Sequence, residues 1–208
     1  MGALQNDCLV LQAGAHRGES LDLSALPLPG RHNRENAAAA ILAAVAFGVK
    51  PAAIQPALET FQGLPHRTAL IDTINGIRFF NDSKATNIDA VNRALTAFDH
   101  PVVLIMGGRN KGNTFRPLAD GIRRHVKTLV TLGEAAGNIL KELGSLAPSM
   151  KADTMADAVS AAFGAAQSGD IVLLSPGCAS FDMFNNYQHR GDAFCNAVEA
   201  LKQNRLST

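Results

Sequence analysis

Tryptophan is absent and tyrosine occurs once in 208 residues, so the chain has no aromatic platform on which nucleic-acid bases would stack. Charge is also scarce. Asp, Glu, Lys and Arg make up 18%, and 19 basic residues against 18 acidic ones leave a net charge of +1. That balance carries no electrostatic footprint for nucleic acid or an anionic membrane. The longest apolar run, Ala37 to Val49, has 13 residues, short of the roughly 18 that span a bilayer. No basic stretch followed by an apolar one opens the sequence, so no secretory signal is expected. The three cysteines, Cys8, Cys178 and Cys195, include no Cys-x-x-Cys pair. They fit neither a disulfide framework nor a zinc site, and read as buried thiols of a reducing cytoplasm. The six histidines lack His-x-x-x-His and His-Glu-x-x-His spacing, so no metal site is expected. Gly-Lys-Ser/Thr occurs nowhere, which excludes a P-loop within these residues. The expectation is a soluble, cytoplasmic protein.

What is present is a core and an alternation. Hydrophobic residues make up 47%, enough for a buried interior in one sizeable domain, with or without a piece of another. Residues 1–30 hold short apolar pieces, Cys8–Leu11 and Leu21–Leu23, among Gly, Ser and Pro, and read as strand fragments. Asn33 to Phe47 is Ala-rich and free of Pro, which predicts a helix ending near Gly48 and packed closely on something flat. Pro51 opens a second helix through Phe61. Gly63-Leu64-Pro65 is a break. Beyond it, Ala69–Thr73 and Ile77–Phe80 flank Asn75-Gly76, a β-hairpin signal. Strands at 102–106, 128–132 and 171–174, with a weaker one near Met150, then alternate with helices at 88–98, 115–125, 135–143, 155–166 and 191–202. Continuous apolar strands between helices predict an α/β fold, a mostly parallel Rossmann-like sheet with helices on both faces, plus the hairpin strand.

In such sheets ligands bind beyond the carboxyl ends of the strands. Three ends carry small or polar residues: Asn81-Asp82-Ser83-Lys84-Ala85-Thr86-Asn87, Gly107-Gly108-Arg109-Asn110-Lys111-Gly112, and Ser175-Pro176-Gly177-Cys178-Ala179-Ser180. Each has an ordinary reading as a helix cap, a plain turn or a strand stop, and His66-Arg67 reads as solvated surface. Together, with a lysine in two of them, they predict a crevice for an anionic ligand.

Those segments, with Gly30-Arg31-His32-Asn33-Arg34-Glu35-Asn36, Gly63-Leu64-Pro65-His66-Arg67 and Asn186-Tyr187-Gln188-His189-Arg190-Gly191-Asp192, follow one another in the order found in the Mur ligases. The Asp-Ser-Lys-Ala-Thr-Asn and Cys-Ala-Ser-Phe-Asp segments resemble specifically the branch that adds D-glutamate. The resemblance covers nearly the whole chain. It implies that residues 1–62 are the last part of a central ATPase domain and 63–208 a complete C-terminal ligase domain, with the UDP-sugar domain and the phosphate-binding loop outside these residues.

The activity implied is that of an ATP-dependent carboxylate–amine ligase of peptidoglycan precursor synthesis. Such enzymes join D-glutamate to UDP-N-acetylmuramoyl-L-alanine through an acyl phosphate, with ATP and Mg²⁺, the metal ligands lying mainly outside this chain. The chain alone is then expected to be inactive, and no nucleic acid or membrane partner is implied. By the same resemblance Asn33 and Asn36 approach the adenine, Asp82 the ribose, and Arg67 and Lys84 the phosphates. His66 stands beside them as a weaker catalytic candidate. Lys111 would pair with a carboxylate of D-glutamate, Thr86 and Ser180 would donate hydroxyl hydrogen bonds, the backbone of Ser180 and Phe181 would assist, and Tyr187 would close the pocket. Asn110 departs from the family pattern, where aspartate is common, as do Thr114 for an acidic residue and Gly177 for alanine. The alternatives are a folylpolyglutamate-type ligase, which lacks the Cys-Ala-Ser-Phe-Asp signature, and a non-catalytic nucleotide- or anion-binding module. A nicotinamide-dependent dehydrogenase would require Gly-x-Gly-x-x-Gly, which the 107–112 segment does not fit.

Overall fold

The structure, a computed structural model, describes residues 2–5 and 7–206. The chain divides into two compact units, Met1–Gly63 and Leu64–Thr208.

In the first unit three short strands, β1 (Gly2–Gln5), β2 (Cys8–Leu11) and β3 (Ser20–Asp22), form an antiparallel sheet in that order. Leu9 and Leu11 of β2 and Leu21 of β3 are buried, as is Leu23 just beyond. Two helices supply the rest of this core, α1 (Arg31–Ala46) through Ala38 and Ile41, and α2 (Pro51–Thr60) through Ile54 and Leu58. Pro51 takes the first turn of α2, where its missing N–H would have had no helical partner. The alanine-rich helix buries only part of its surface. Ala39, Ala40, Ala43 and Ala46 remain exposed, and Phe47 is 92% exposed.

The second unit is a six-stranded sheet in the order β4-β5-β9-β6-β7-β8. The strands are β4 (Ala69–Ile74), β5 (Ile77–Asn81), β6 (Val102–Gly107), β7 (Val126–Leu132), β8 (Ser149–Lys151) and β9 (Ile171–Leu174). β4 and β5 pair antiparallel across the Asn75-Gly76 turn, where both residues adopt positive φ (52° and 77°). Every other pairing is parallel, as the continuous apolar strands require. Alternate side chains feed two cores. Val102, Leu104 and Met106 point to one face with Val91, Leu95, Ile122 and Ile139, while Val103 and Ile105 point to the other with Met155, Val159, Phe194 and Val198. The first face is covered by α3 (Ile88–Leu95), α4 (Ala119–His125) and α5 (Ala136–Leu143), the second by α6 (Met155–Ala165) and α7 (Tyr187–Leu206).

Three helices differ from the sequence reading. The segment expected as one helix over 115–125 begins as a 3₁₀ turn, Arg116–Leu118, around Pro117, before α4. The helix at 88 stops at Leu95, with Thr96 bonded back to Arg93 O. The last helix starts four residues earlier than Gly191, because the Asn186 side chain accepts the His189 N–H at 2.7 Å, as an N-cap does. Among the described residues no helix is long and apolar enough to cross a membrane.

Candidate functional site

Parallel pairing brings the carboxyl ends of β5, β9 and β6 to one edge in adjacent positions, with Asn81 opposite Leu174 and Leu174 opposite Ile105. The three segments singled out in the sequence therefore meet there. Backbone bonds lock them together. Asp82 N–H donates to Leu174 O (2.8 Å), Gly107 N–H to Pro176 O (2.9 Å) and Gly177 N–H to Ala85 O (2.9 Å), while Arg109 and Ala179 exchange two bonds of 2.8 and 3.1 Å.

Lys84, His66 and Tyr187 converge at this edge. The Lys84 ammonium lies 4.1 Å from the Tyr187 ring centroid, and the His66 ring meets Tyr187 edge-on at 6.1 Å. A cation–π contact of this kind holds the lysine against the ring. His66 is fixed from below by Asn81, whose amide nitrogen lies 3.1 Å from His66 Nδ1 and donates to Gly191 O at 3.0 Å. His66 Nε2 stands 3.7 Å from Asp192. Arg67 is exposed between two residues with positive φ, His66 (63°) and Thr68 (48°). For a β-branched residue such as Thr68 that conformation is strained.

Asp82 holds the strained turn. One carboxylate oxygen accepts the Thr68 N–H (3.1 Å) and hydroxyl (3.3 Å), and the other accepts the Ser175 hydroxyl at 3.0 Å. Burial pushes its pKa up to about 6, against the opposing pull of those hydrogen bonds and of the Arg67 charge. Between pH 4 and 6 the folded protein keeps a proton that the unfolded chain releases, so this group's contribution weakens stability as pH rises through that window. A shift of that size corresponds to on the order of 2–3 kcal/mol. Asp82→Asn should therefore gain on the wild type by that amount between pH 4 and 7.5 in urea melts. Parallel pH profiles would show that Asp82 is not strained by its burial.

The remaining expected residues differ in their exposure. Thr86 is half-buried ahead of α3, Ser180 is buried, and Phe181 is 62% exposed. Lys111 is exposed on a loop closed by Asn110, whose amide donates to Asn113 O (2.8 Å) and whose carbonyl accepts Asn113 N–H (3.0 Å). An aspartate could only accept there, which gives a physical reason for the asparagine. Thr114 donates its hydroxyl to Glu142 (2.6 Å), which also accepts the N–H groups of Phe115 and Arg116. These bonds hold the Glu142 carboxyl below its usual range, the Thr114 hydroxyl contributing most; a second carboxylate at position 114 would oppose that. Asn33 and Asn36 belong to the first unit. There they line an apolar cavity of about 310 Å³ with Leu26, Ala37, Leu58 and Phe61, and Asn33 donates to Pro29 O at 2.7 Å.

Three residues escaped the sequence reading. Asn81, Ser83 and Arg190 are each at most 1% exposed and form the floor on which Lys84 and Tyr187 rest. Ser83 donates its hydroxyl to Tyr187 O at 2.8 Å. Position in the quoted motifs was the available signal. Cys178 is buried with its thiol pushed up to about 12 by desolvation, an inert group. Among the described residues no three His, Cys, Asp or Glu side chains stand together as a metal site.

Residues 66–178 match the protein family described as Mur ligase, glutamate ligase domain. The UDP-N-acetylmuramoylalanine–D-glutamate ligase of Salinibacter ruber is 48% identical over 177 residues, 85% of this chain and 38% of that protein. The protein of the same name from Bacillus subtilis is 42% identical over 205 residues, 97% of this chain and 44% of that one. The chain thus spans about two fifths of the length of these curated relatives. Among solved structures, the UDP-N-acetylmuramate–alanine ligase of Thermotoga maritima aligns over 94% of this chain and 43% of its own, with a TM-score of 0.68 at 19% identity. The ADP-bound folylpolyglutamate synthase of Mycobacterium tuberculosis covers 95% and 46%, with a TM-score of 0.64 at 15% identity. Both show the shared fold.

Proposed function

The chain belongs to the Mur ligases, whose glutamate ligase domain it carries, and we propose that it forms the nucleotide- and amino-acid-facing part of an ATP-dependent ligase joining D-glutamate to UDP-N-acetylmuramoyl-L-alanine. The observation that carries this reading is the meeting of three strand-end loops around Lys84, His66 and Tyr187. On this reading residues 1–62 close a central ATPase domain, residues 63–208 form the C-terminal domain, and the protein works in the cytoplasm. The substrate carboxylate takes a phosphoryl group from ATP and the amine of D-glutamate displaces phosphate from the acyl phosphate.

This chain's share is orientation and charge. Arg67 and Lys84 face the phosphates, where two fixed cations offset charge that builds up during transfer. Oδ2 of Asp82 carries one hydrogen bond, from Ser175, and so keeps a lone pair for a ribose hydroxyl. His66 orients beside Lys84, and Asn33 and Asn36, in the first unit, carry side-chain amides of the kind that can pair with an adenine. Lys111, Thr86, Ser180 and Phe181 hold D-glutamate, with Tyr187 closing over it. On the same reading the ligands of the Mg²⁺ that accompanies ATP lie mainly outside this chain.

Lys111 gives the direct test. In the full-length ligase Lys111→Ala should raise the KM for D-glutamate tenfold to over a hundredfold, since a charge-assisted hydrogen bond contributes roughly 1.5–3 kcal/mol. The KM for ATP should stay within about threefold of the wild-type value, well below the tenfold that 1.4 kcal/mol represents. Phosphate release should require D-glutamate and the UDP-linked acceptor together. Release that ignores D-glutamate, or an unchanged D-glutamate KM in the variant, would overturn the assignment.

A further inference from the structure

Arg190 is 1% exposed. A buried charge is normally paired, because desolvation is expensive. Arg190 is not, for among the described residues no carboxylate lies within ion-pair distance of its guanidinium. Asp182 is near enough for its field to favour the charged guanidinium, but its Oδ2 accepts the Glu134 N–H instead. The guanidinium donates only to neutral groups. Nε reaches Ser83 Oγ at 3.0 Å, Nη2 reaches Ser83 O at 2.8 Å, and Nη1 reaches Cys178 O at 3.0 Å. Burial lowers its pKa to about 10, so it remains charged at neutral pH.

Those acceptors are not neighbours in sequence. Ser83 sits in the loop after β5, directly before Lys84, and Cys178 in the loop after β9, two residues before Ser180. A Cβ built on Gly108, in the loop after β6, would stand 3.2 Å from Nη1. One side chain from α7 thus ties two strand-end loops and abuts the third. An apolar residue of similar size would have avoided the desolvation penalty. A rigid fork that spans two loops, with a positive charge that no ion pair neutralises, is something only arginine supplies.

We propose that Arg190 is the positioning residue of the crevice, setting the Lys84 loop against the Ser180 loop and keeping a fixed positive charge in the interior behind the site for anionic substrates. The consequence for substrates rests on the function proposed above, whereas the effect on the loops does not. Lys111 concerns one substrate. Arg190 acts through both walls, so its loss should weaken both substrates together.

The test has two parts. In the 208-residue chain, Arg190→Met should speed hydrogen exchange of amides at 83–86 and 178–181 at least tenfold more than a core variant matched for thermal midpoint, such as Ile122→Val or Leu104→Val. Exchange raised equally everywhere would mean a merely structural residue and overturn the proposal. In the full-length ligase Arg190→Met should raise the KM for ATP and for D-glutamate by about tenfold each, and Arg190→Lys, which keeps the charge but loses the fork, should recover only part of that loss, leaving both about threefold above wild type. Wild-type KM values in the methionine variant, or a lysine variant no better than it, would also overturn the proposal. Should Arg190→Met fail to fold, Ser83→Ala removes the acceptor of the Nε–H together with the hydroxyl's own bond to Tyr187 O, keeps the Nη1 and Nη2 bonds, and should loosen 83–86 while leaving 178–181 unchanged. Loosened loops in a full-length protein that ignores D-glutamate would sink the functional reading and leave the role of Arg190 standing.

Discussion

Gly108→Ala should lower the stability of the second unit by about 3–5 kcal/mol and dismantle the crevice along with it. Gly108 has φ +131°, and a Cβ there would overlap the backbone oxygen of Ala179 while standing 3.1 Å from Cys178 Cβ. Holding an L-residue in such a conformation costs about 1–3 kcal/mol. The overlap is with backbone, so it cannot be relieved by a rotamer change. The Ala179 loop must move away, which breaks the pair of bonds it shares with Arg109, at about 1 kcal/mol each. For a domain of this size the sum corresponds to a thermal midpoint lowered by roughly 10–20 °C. Calorimetry on the wild type and Gly108→Ala measures it. A fall of only a few degrees would mean that the contact between the β6 and β9 loops is softer than the geometry requires.

The same residue shows what was legible in the sequence. Gly107-Gly108 after a continuous apolar strand read as a plain turn or as part of a crevice for an anionic ligand. It did not name the backbone that packs against it, because Ala179 lies 71 positions away. The sheet was readable for a comparable reason: β6 and β9 are apolar at every position, and the Asn75-Gly76 turn names its own hairpin. Local chemistry of this kind survives into the fold. Asp82 is the contrary case. Its place in Asp-Ser-Lys-Ala-Thr-Asn suggested a ligand contact, yet its carboxylate also holds Thr68 and Ser175, 14 and 93 residues away, and clamps the strained turn that presents Arg67. Arg190 was quoted within a motif and assigned no role. It stands in a helix whose neighbours Gln188 and His189 are exposed, so its burial follows from how α7 crosses the sheet edge, which no periodicity encodes. The start of α7 did have a local signal, the Asn186 cap.

Incubated with MgATP, D-glutamate and UDP-N-acetylmuramoyl-L-alanine, the 208-residue chain alone should release no phosphate above background and bind ATP only weakly. Lys84 lies over the Tyr187 ring in a loop that backbone hydrogen bonds tie to its neighbours, and Arg67 is exposed in the preceding turn. What the sequence does not contain is a Gly-Lys-Ser/Thr loop, the element whose backbone N–H groups and lysine cradle the β- and γ-phosphates. Phosphoryl transfer is accelerated almost entirely by positioning and by charges fixed in advance around the transferring group. A single such donor contributes on the order of 10²–10³ in rate. Losing a whole cradle should cost at least about 10⁴, which places the chain below detection beside the full-length ligase. The assay needs Lys84→Ala chain as its control, because a trace of contaminating ATPase would survive that substitution. Turnover by the wild-type chain that disappears with Lys84→Ala would mean that the C-terminal unit carries the catalytic charge by itself and that the cradle only holds the nucleotide.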